Sequence, residues 1–262
     1  MAGPHVLYSK EVHVAVITLN RPEAKNAFSA EMIALWTECL EQARTDGDVR
    51  VLVLTGAGDT FCSGGDIREM AGGGLTSWTM KRFLWEGVHR ILLTMEDLDK
   101  PVIAAINGAA MGAGLDMALM CDLRICAGRV RLAESYILMG LVPGDGGAFL
   151  LPRTIGLPKA MELLLTGDAL SAEEALAIGL VNRVVPGGEL MDATMVLAKK
   201  IASKPPQAVR MMKRAVYQGV TSSLRTHLDY ISSQVSLLSE TADHREAATA
   251  FLEKRKPVFT GE

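Results

Sequence analysis

The N-terminal half of the chain alternates short apolar runs with amphipathic stretches, a pattern typical of mixed α/β proteins. Residues 13–19 are rich in β-branched side chains and end at an Asn-Arg-Pro turn signal, which predicts a strand. Residues 31–43 place apolar side chains at helical spacing, and Ser29 is well placed to cap that helix. The chain is therefore predicted to open with a strand, a turn and a helix.

Three further apolar runs, at 51–54, 101–106 and 123–126, contain few polar residues. Continuous apolar runs of this length are typical of strands that are covered on both faces of a sheet. The sequence Ser-Ala-Glu-Glu at 171–174 is a capping-box pattern, which predicts the start of a short helix that ends near Gly179.

The last part of the chain has a different composition. After a Pro-Gly-Gly sequence the strand signals stop, and the pattern predicts helices at 189–202, 206–217 and 222–253. We therefore divide the chain into a core, residues 1–197, and a C-terminal helical region, residues 198–262. Because helices that cannot bury their apolar faces alone often pack on another subunit, an oligomer is expected.

The composition of the 262 residues, 49% hydrophobic and 22% charged, is that of an ordinary globular protein. A net charge of −3 argues against general nucleic-acid binding, which needs a basic face. No apolar run approaches the roughly 18 to 20 residues that span a bilayer, and the first ten residues do not resemble a signal peptide. The four cysteines form no C-x-x-C pair, so we expect reduced thiols and a cytoplasmic protein without a membrane partner.

Two glycine-rich turns, at 61–67 and 107–114, follow apolar strands and carry the candidate chemistry. Glycine allows close approach of a ligand to the backbone, and the start of a helix leaves N–H donors unpaired. Two such turns together could present N–H groups to one developing oxyanion. A dinucleotide fingerprint fails because Met117 occupies the position of its third glycine, and no phosphate loop or metal-binding pattern is present.

These turns belong to a longer series of motifs that resembles the crotonase superfamily, which includes enoyl-CoA hydratases and isomerases. The resemblance begins at Asn20–Ala27, similar to the family's N-R-P-x-x-x-N-A loop, and covers nearly the whole chain. Its later motifs lie at 140–147, 151–153, 164–167, 172–176, 179–181 and 251–257.

The resemblance implies an α/β fold, a crotonase-type spiral of ββα units with a C-terminal helical trimerisation region. It also implies an acyl-CoA thioester as the substrate, no separate cofactor and no metal, and a homotrimer or a dimer of trimers. The thioester carbonyl would lie between the N–H groups of Ser63 and Ala113, provided that φ at Ala113 is not strongly positive.

The resemblance further implies a coenzyme A binding surface. Its residues would be Lys25, Ala27, Gly64, Gly65 and Asp66, of which Asp66 is expected to shape its loop rather than to perform chemistry. A basic group at 254–256 could also reach a phosphate of coenzyme A, or could simply be a solvated helix end.

The sequence departs from the family's hydratases at the catalytic positions. Hydratases use two glutamates; the first position corresponds to Asp116 and the second to Tyr136. Glu134, two residues earlier, could replace the missing carboxylate because residues two apart in an extended segment share a face. Asp145 is an additional carboxylate, either a base or nucleophile facing the acyl chain or an N-cap of the following helix.

These departures leave the reaction open. The candidates are hydration, double-bond isomerisation by Asp116 and Asp145, hydrolysis or dehalogenation by Asp145, and acyl-CoA binding without turnover. Residues 78–95 could line the acyl pocket or simply pack as a helix, and none of the five histidines matches a catalytic position.

Overall fold

The computed structural model describes residues 3–68 and 76–262. Its strands form two sheets, one of six strands in the order β1-β2-β3-β5-β7-β9 and one of three in the order β4-β6-β8. The strands are β1 (Val6–Glu11), β2 (Val14–Leu19), β3 (Val51–Gly56), β4 (Thr60–Cys62), β5 (Val102–Ile106), β6 (Ala109–Met111), β7 (Leu123–Ala127), β8 (Leu132–Ala133) and β9 (Arg183–Val185). Only β1 runs antiparallel to its neighbour among these strands.

Helices cover the sheets and form the C-terminal part of the described chain. They are α1 (Ala30–Thr45), α2 (Ser77–Arg82), α3 (His89–Asp97), α4 (Ala113–Leu119), α5 (Gly147–Ile155), α6 (Leu157–Thr166), α7 (Ala172–Ala177), α8 (Leu190–Ala202), α9 (Pro206–Thr221), α10 (Leu224–Ser239) and α11 (Ala242–Leu252). A π-helical turn, Phe83–Val88, joins α2 to α3, and a 3₁₀ segment, Ser135–Met139, follows β8.

The predicted strands and helix caps are confirmed. All six residues of β3 are buried, as expected for a strand with both faces covered. The Ser29 side chain accepts a hydrogen bond from the N–H of Met32 at the start of α1. Ser171 and Glu174 form both hydrogen bonds of a capping box before α7.

The prediction of one long helix at 222–253 is wrong, because two helices, α10 and α11, occupy this range. The chain leaves α10 at Glu240, and the Thr241 side chain accepts the N–H of His244 to begin α11. The proposed division after residue 197 falls within α8, which packs on β2, β3, β5 and β7.

The surface of the last three helices exposes many large apolar side chains: Met212, Val216, Val220, Leu224, Leu228, Val235, Leu237, Phe251 and Leu252. None of the helices in the described ranges combines the length and apolar character required to cross a membrane. An exposed apolar surface of this extent is characteristic of protein contact sites.

Candidate active site

The candidate site lies where the three strands of the smaller sheet end. Ser63 follows β4, Gly112 follows β6, and Glu134 follows β8. Because β4 pairs with β6 and β6 pairs with β8, all in parallel, these three chain positions lie side by side. In α/β proteins ligands bind beyond the carboxyl ends of parallel strands, so this edge is the expected place for a site.

The two glycine-rich turns contact each other closely. Gly64 and Gly112 have φ values of 83° and 50°, in the left-handed region that favours glycine. A Cβ atom on Gly114 would collide with the carbonyl oxygen of Cys62, and one on Gly64 would lie 3.1 Å from the backbone nitrogen of Ala113. Glycine at these positions therefore allows the end of β4 to pack against the start of α4.

Ala113 offers a free donor to this junction. Its N–H begins α4 and has no acceptor within residues 3–68 and 76–262. Its φ is not positive; the positive φ of this turn is at Gly112, the residue before it. Ala113 therefore keeps a usable N–H without backbone strain.

Ser63, the predicted second donor, makes a backbone contact in this structure. Its N–H donates to the carbonyl oxygen of Lys25 at 3.0 Å, and the N–H of Phe28 donates to the carbonyl oxygen of Gly64 at 2.8 Å. These two bonds join the loops, and a role of the Ser63 N–H towards a thioester oxygen stays a prediction. The N–H of Gly65 has no acceptor in the described part of the chain.

The loop at Asn20–Ala27 is held by the buried side chain of Asn26, which the sequence motifs did not single out. Asn26 has a φ of 54°, and its side-chain amide donates to the carbonyl oxygens of Ala57 and Thr60 at 2.9 and 2.7 Å. Lys25 beside it has a φ of 52° and an exposed side chain, whereas Ala27 is buried. Asparagine tolerates the left-handed conformation better than most residues, which suits it to this position.

Asp66 contacts the same loop. Its carboxylate lies 3.6 Å from the Arg21 guanidinium and accepts the N–H of Arg68 at 3.1 Å. Arg21 in turn donates to the carbonyl oxygen of Ala27 at 2.7 Å. These contacts agree with a role in shaping the loop. Arg255 belongs to the basic group at 254–256 that could reach a phosphate of coenzyme A. In this structure its guanidinium is paired with Glu246 at 2.7 Å.

The carboxyl groups of Asp116 and Asp145 both contact the hydroxyl group of Tyr136. The Tyr136 oxygen lies 2.6 Å from Oδ2 of Asp116 and 3.0 Å from Oδ2 of Asp145. A tyrosine hydroxyl carries one proton, so it donates to one carboxyl group and accepts from the other only if that group is protonated. The three side chains therefore form a chain of hydrogen bonds that needs a shared proton.

The environment of these groups favours their neutral forms. Burial raises the pKa of Asp116, although hydrogen bonds from its neighbours, first that from Tyr136, offset part of the effect. Burial also raises the pKa of Asp145, against the opposing influence of Tyr136 and His89. Burial and the adjacent Asp116 and Asp145 raise the pKa of Tyr136, which keeps it a proton donor at neutral pH.

His89 is a site residue that the sequence analysis missed. Its Nε2 lies 2.7 Å from the carbonyl oxygen of Gly144 and 3.8 Å from Oδ1 of Asp145. A carbonyl oxygen only accepts, so Nε2 carries a proton and donates it there. No sequence pattern marks His89. In the structure it follows a π-helical turn, and such turns occur frequently at functional sites.

Asp145 does not cap the following helix. The residue before α5 is Gly146, with a φ of 104°, and no side chain caps the helix. Glu134, which the sequence offered as a substitute catalytic carboxylate, is only 2% exposed. It faces Asp116 across Gly147, where a Cβ atom would overlap Asp116 Oδ1 and lie 2.8 Å from Glu134 Oε2.

The comparison with protein-family models now decides the assignment. Residues 9–262 match the model described as enoyl-CoA hydratase/isomerase. The chain belongs to the enoyl-CoA hydratase/isomerase family. It is therefore an acyl-CoA-processing enzyme of the crotonase superfamily, and the resemblance read from its motifs is confirmed.

Relatives of this family member match it over nearly their whole length. It is 38% identical to a short-chain-enoyl-CoA hydratase of Clostridium acetobutylicum, covering 96% of both chains. It is 40% identical to a 1,2-epoxyphenylacetyl-CoA isomerase of Escherichia coli, covering 98% of both chains. It is also 41% identical to an (E)-benzylidenesuccinyl-CoA hydratase of Thauera aromatica, covering 95% of this chain and 96% of the relative.

The fold prediction is confirmed by a solved structure. An enoyl-CoA hydratase from Bacillus anthracis superposes with a TM-score of 0.95 at 36% identity, covering 98% of this family member and 100% of that chain. The parallel sheets and the C-terminal helices are thus those of a crotonase fold.

Proposed function

We propose that the enzyme isomerises an acyl-CoA thioester by removing a proton from one carbon atom, which forms an enolate, and returning a proton to another, with Asp116 and Asp145 as the acid/base groups. The observation that carries the proposal is the Tyr136 hydroxyl placed between those two carboxyl groups. The N–H groups of Ala113 and Gly65 would stabilise the enolate oxygen, since neither has an acceptor among the described residues.

Hydration with two ionised glutamates fits this site poorly. Tyr136 stands at the second position and, with its raised pKa, cannot accept a proton from water. Isomerisation consumes no water; it needs acid/base groups that can remove a proton from one carbon atom and deliver a proton to another. Two carboxyl groups that share a proton through a hydroxyl meet that requirement.

The names of two relatives suggest the class of acyl group. The isomerase at 40% identity acts on an epoxyphenylacetyl thioester, and the hydratase at 41% identity acts on a benzylidenesuccinyl thioester. We therefore propose a ring-bearing acyl group. Leu84 and Trp85, on the π-helical turn beside His89, would contact it, since Leu84 lies close to Gly144 and Trp85 meets the His89 ring edge-on.

A panel of coenzyme A thioesters tests the proposal. Saturated, 2-enoyl, 3-enoyl and ring-bearing thioesters are incubated with the enzyme, and products are identified by mass spectrometry and chromatography. We expect products of unchanged mass and different retention. A product heavier by one water molecule would indicate hydration, release of coenzyme A would indicate hydrolysis, and binding without turnover would indicate a non-catalytic protein; each contradicts the proposal.

A homotrimer, or a dimer of trimers, is proposed as the working assembly. The support is the exposed apolar surface of α9, α10 and α11, which a single chain leaves uncovered. Sedimentation equilibrium that finds only monomer at micromolar concentration would contradict it.

A cytoplasmic location is also proposed. It rests on Cys39, Cys62, Cys121 and Cys126, all of which are free thiols.

A further inference from the structure

Glu134 is a buried carboxyl group that the proposed proton transfer does not use. It follows β8 directly, and neither of its carboxyl oxygens has a hydrogen-bond partner within the described chain. The same is true of Oδ1 of Asp116, whose other oxygen accepts the Tyr136 hydroxyl. Buried polar atoms without partners are rare, so three of them at one place require an explanation.

The two carboxyl groups converge because Gly147 has no side chain. A Cβ atom there would overlap Asp116 Oδ1 and lie 2.8 Å from Glu134 Oε2, so both oxygens flank the same small space. Two ionised carboxylates cannot be buried side by side without a cation. His89, the histidine of this site, faces Asp145 instead, at 3.8 Å.

We propose that Glu134 is a positioning residue that stays protonated and donates its carboxylic O–H to Oδ1 of Asp116. This single proton pairs Asp116 Oδ1 with one of the two carboxyl oxygens of Glu134 and removes the repulsion between the two residues. Asp116 is then held by two donors, the Tyr136 hydroxyl on Oδ2 and the Glu134 carboxyl on Oδ1, which fixes the plane of its carboxylate. The consequence for turnover rests on the function proposed for Asp116, whereas the hydrogen bond does not.

The surrounding charges are consistent with this assignment. The titratable groups that face the pair are Tyr136 on the 3₁₀ segment, Asp145 in the loop before α5, and His89 on α3. Burial, together with the negative charge of Asp116, raises the pKa of Glu134. A proton shared between the two therefore resides on Glu134, and Asp116 remains the group that exchanges protons with substrate.

Two variants separate positioning from catalysis. Glu134→Gln keeps an N–H donor for Asp116 but cannot titrate, so we expect kcat within about threefold of wild type. Glu134→Leu removes the donor, and we expect kcat to fall about 10- to 100-fold with little change in KM. Because a lost donor destabilises the charged form of Asp116, its pKa rises, and the acid limb of the kcat–pH profile should move to higher pH.

Opposite results would overturn the proposal. A loss of more than about 100-fold in Glu134→Gln would make Glu134 a proton-transfer group in its own right. Wild-type kcat and an unchanged acid limb in Glu134→Leu would show that it does not position Asp116. Both variants are compared on the best substrate of the thioester panel, after thermal unfolding has shown that they fold.

Infrared spectroscopy tests the protonated state without any turnover. The difference spectrum of wild type minus Glu134→Gln at neutral pH should contain the C=O stretch of a buried carboxylic acid. Its absence would overturn the proposal even if isomerisation is observed. Its presence would uphold the hydrogen bond even if the thioester panel shows another reaction or if Glu134→Leu does not fold.

Discussion

The site consists of two neighbouring regions that are built in different ways. The first, at 62–65 and 112–114, is called the oxyanion region because its backbone N–H groups are proposed to stabilise an enolate oxygen. Its shape depends on Gly64, Gly112 and Gly114. The second, called the carboxyl region, consists of the side chains of Asp116, Tyr136, Asp145 and His89, which come from four separate segments of the chain. Its chemistry depends on which of these groups carry protons. In the proposed function, the first region serves any reaction that passes through a thioester enolate, whereas the second selects the reaction. Substitutions in the two regions should therefore change stability and turnover in different ways.

The largest effect is expected at Gly114. Gly114→Ala would drive a Cβ atom into the carbonyl oxygen of Cys62, which is rigid backbone. We expect a loss of about 1–3 kcal/mol of stability and of more than about 100-fold in kcat, because the Ala113 N–H is displaced. Thermal unfolding and turnover measure these effects.

The matched control is Ala113→Gly, one position earlier. It keeps the N–H and removes only a methyl group from a residue without positive φ. We expect kcat within about fivefold of wild type, since the donor itself is unchanged. Equal losses in the two variants would contradict the view that the backbone path, rather than the side chains, forms this region.

An intermediate effect is expected in the carboxyl region. Asp145→Asn should lower kcat by roughly 10² to 10⁴-fold, because an amide cannot exchange a proton with substrate. Tyr136→Phe should cost only about tenfold, the equivalent of one hydrogen bond of roughly 1.5 kcal/mol. Both are measured on the same thioester. The reverse order would count against Asp145 as an acid/base group and in favour of Tyr136.

The smallest effect is expected at Asp66, which borders the oxyanion region. Asp66→Asn removes the charge that faces Arg21 at 3.6 Å but keeps an oxygen for the N–H of Arg68. We expect KM to rise by up to about fivefold and kcat to stay unchanged, since a partly exposed ion pair contributes about 1 kcal/mol. A large fall in kcat would show that Asp66 takes part in the chemistry.

Sequence patterns were sufficient for the parts of the fold that depend on local or periodic signals. The buried strand β3 and the caps at Ser29 and Ser171 follow from apolar runs and from hydroxyl groups at fixed spacing. The break at Glu240 was missed because its only signal is a single threonine cap in a continuous amphipathic pattern.

The candidate site was predictable only in part. Motif matching located Ala113, Asp116 and Asp145, but it could not show that the Ser63 N–H is used by Lys25. That bond joins residues 38 positions apart, so no local pattern reports it. His89 was missed for the same reason, since its partner in the loop before α5 is distant in sequence.

The burial of the acid/base groups has an isotopic consequence. Asp116 is fully buried and Asp145 is only 5% exposed, so a proton held between them has little access to bulk water. A hydrogen removed from a substrate carbon should then join the protons shared by Asp116, Tyr136 and Asp145 and return to a substrate molecule, in the same or a later turnover, before it exchanges with solvent. Deuterium that leaves the α-carbon would therefore reappear in the pool of product molecules rather than in water.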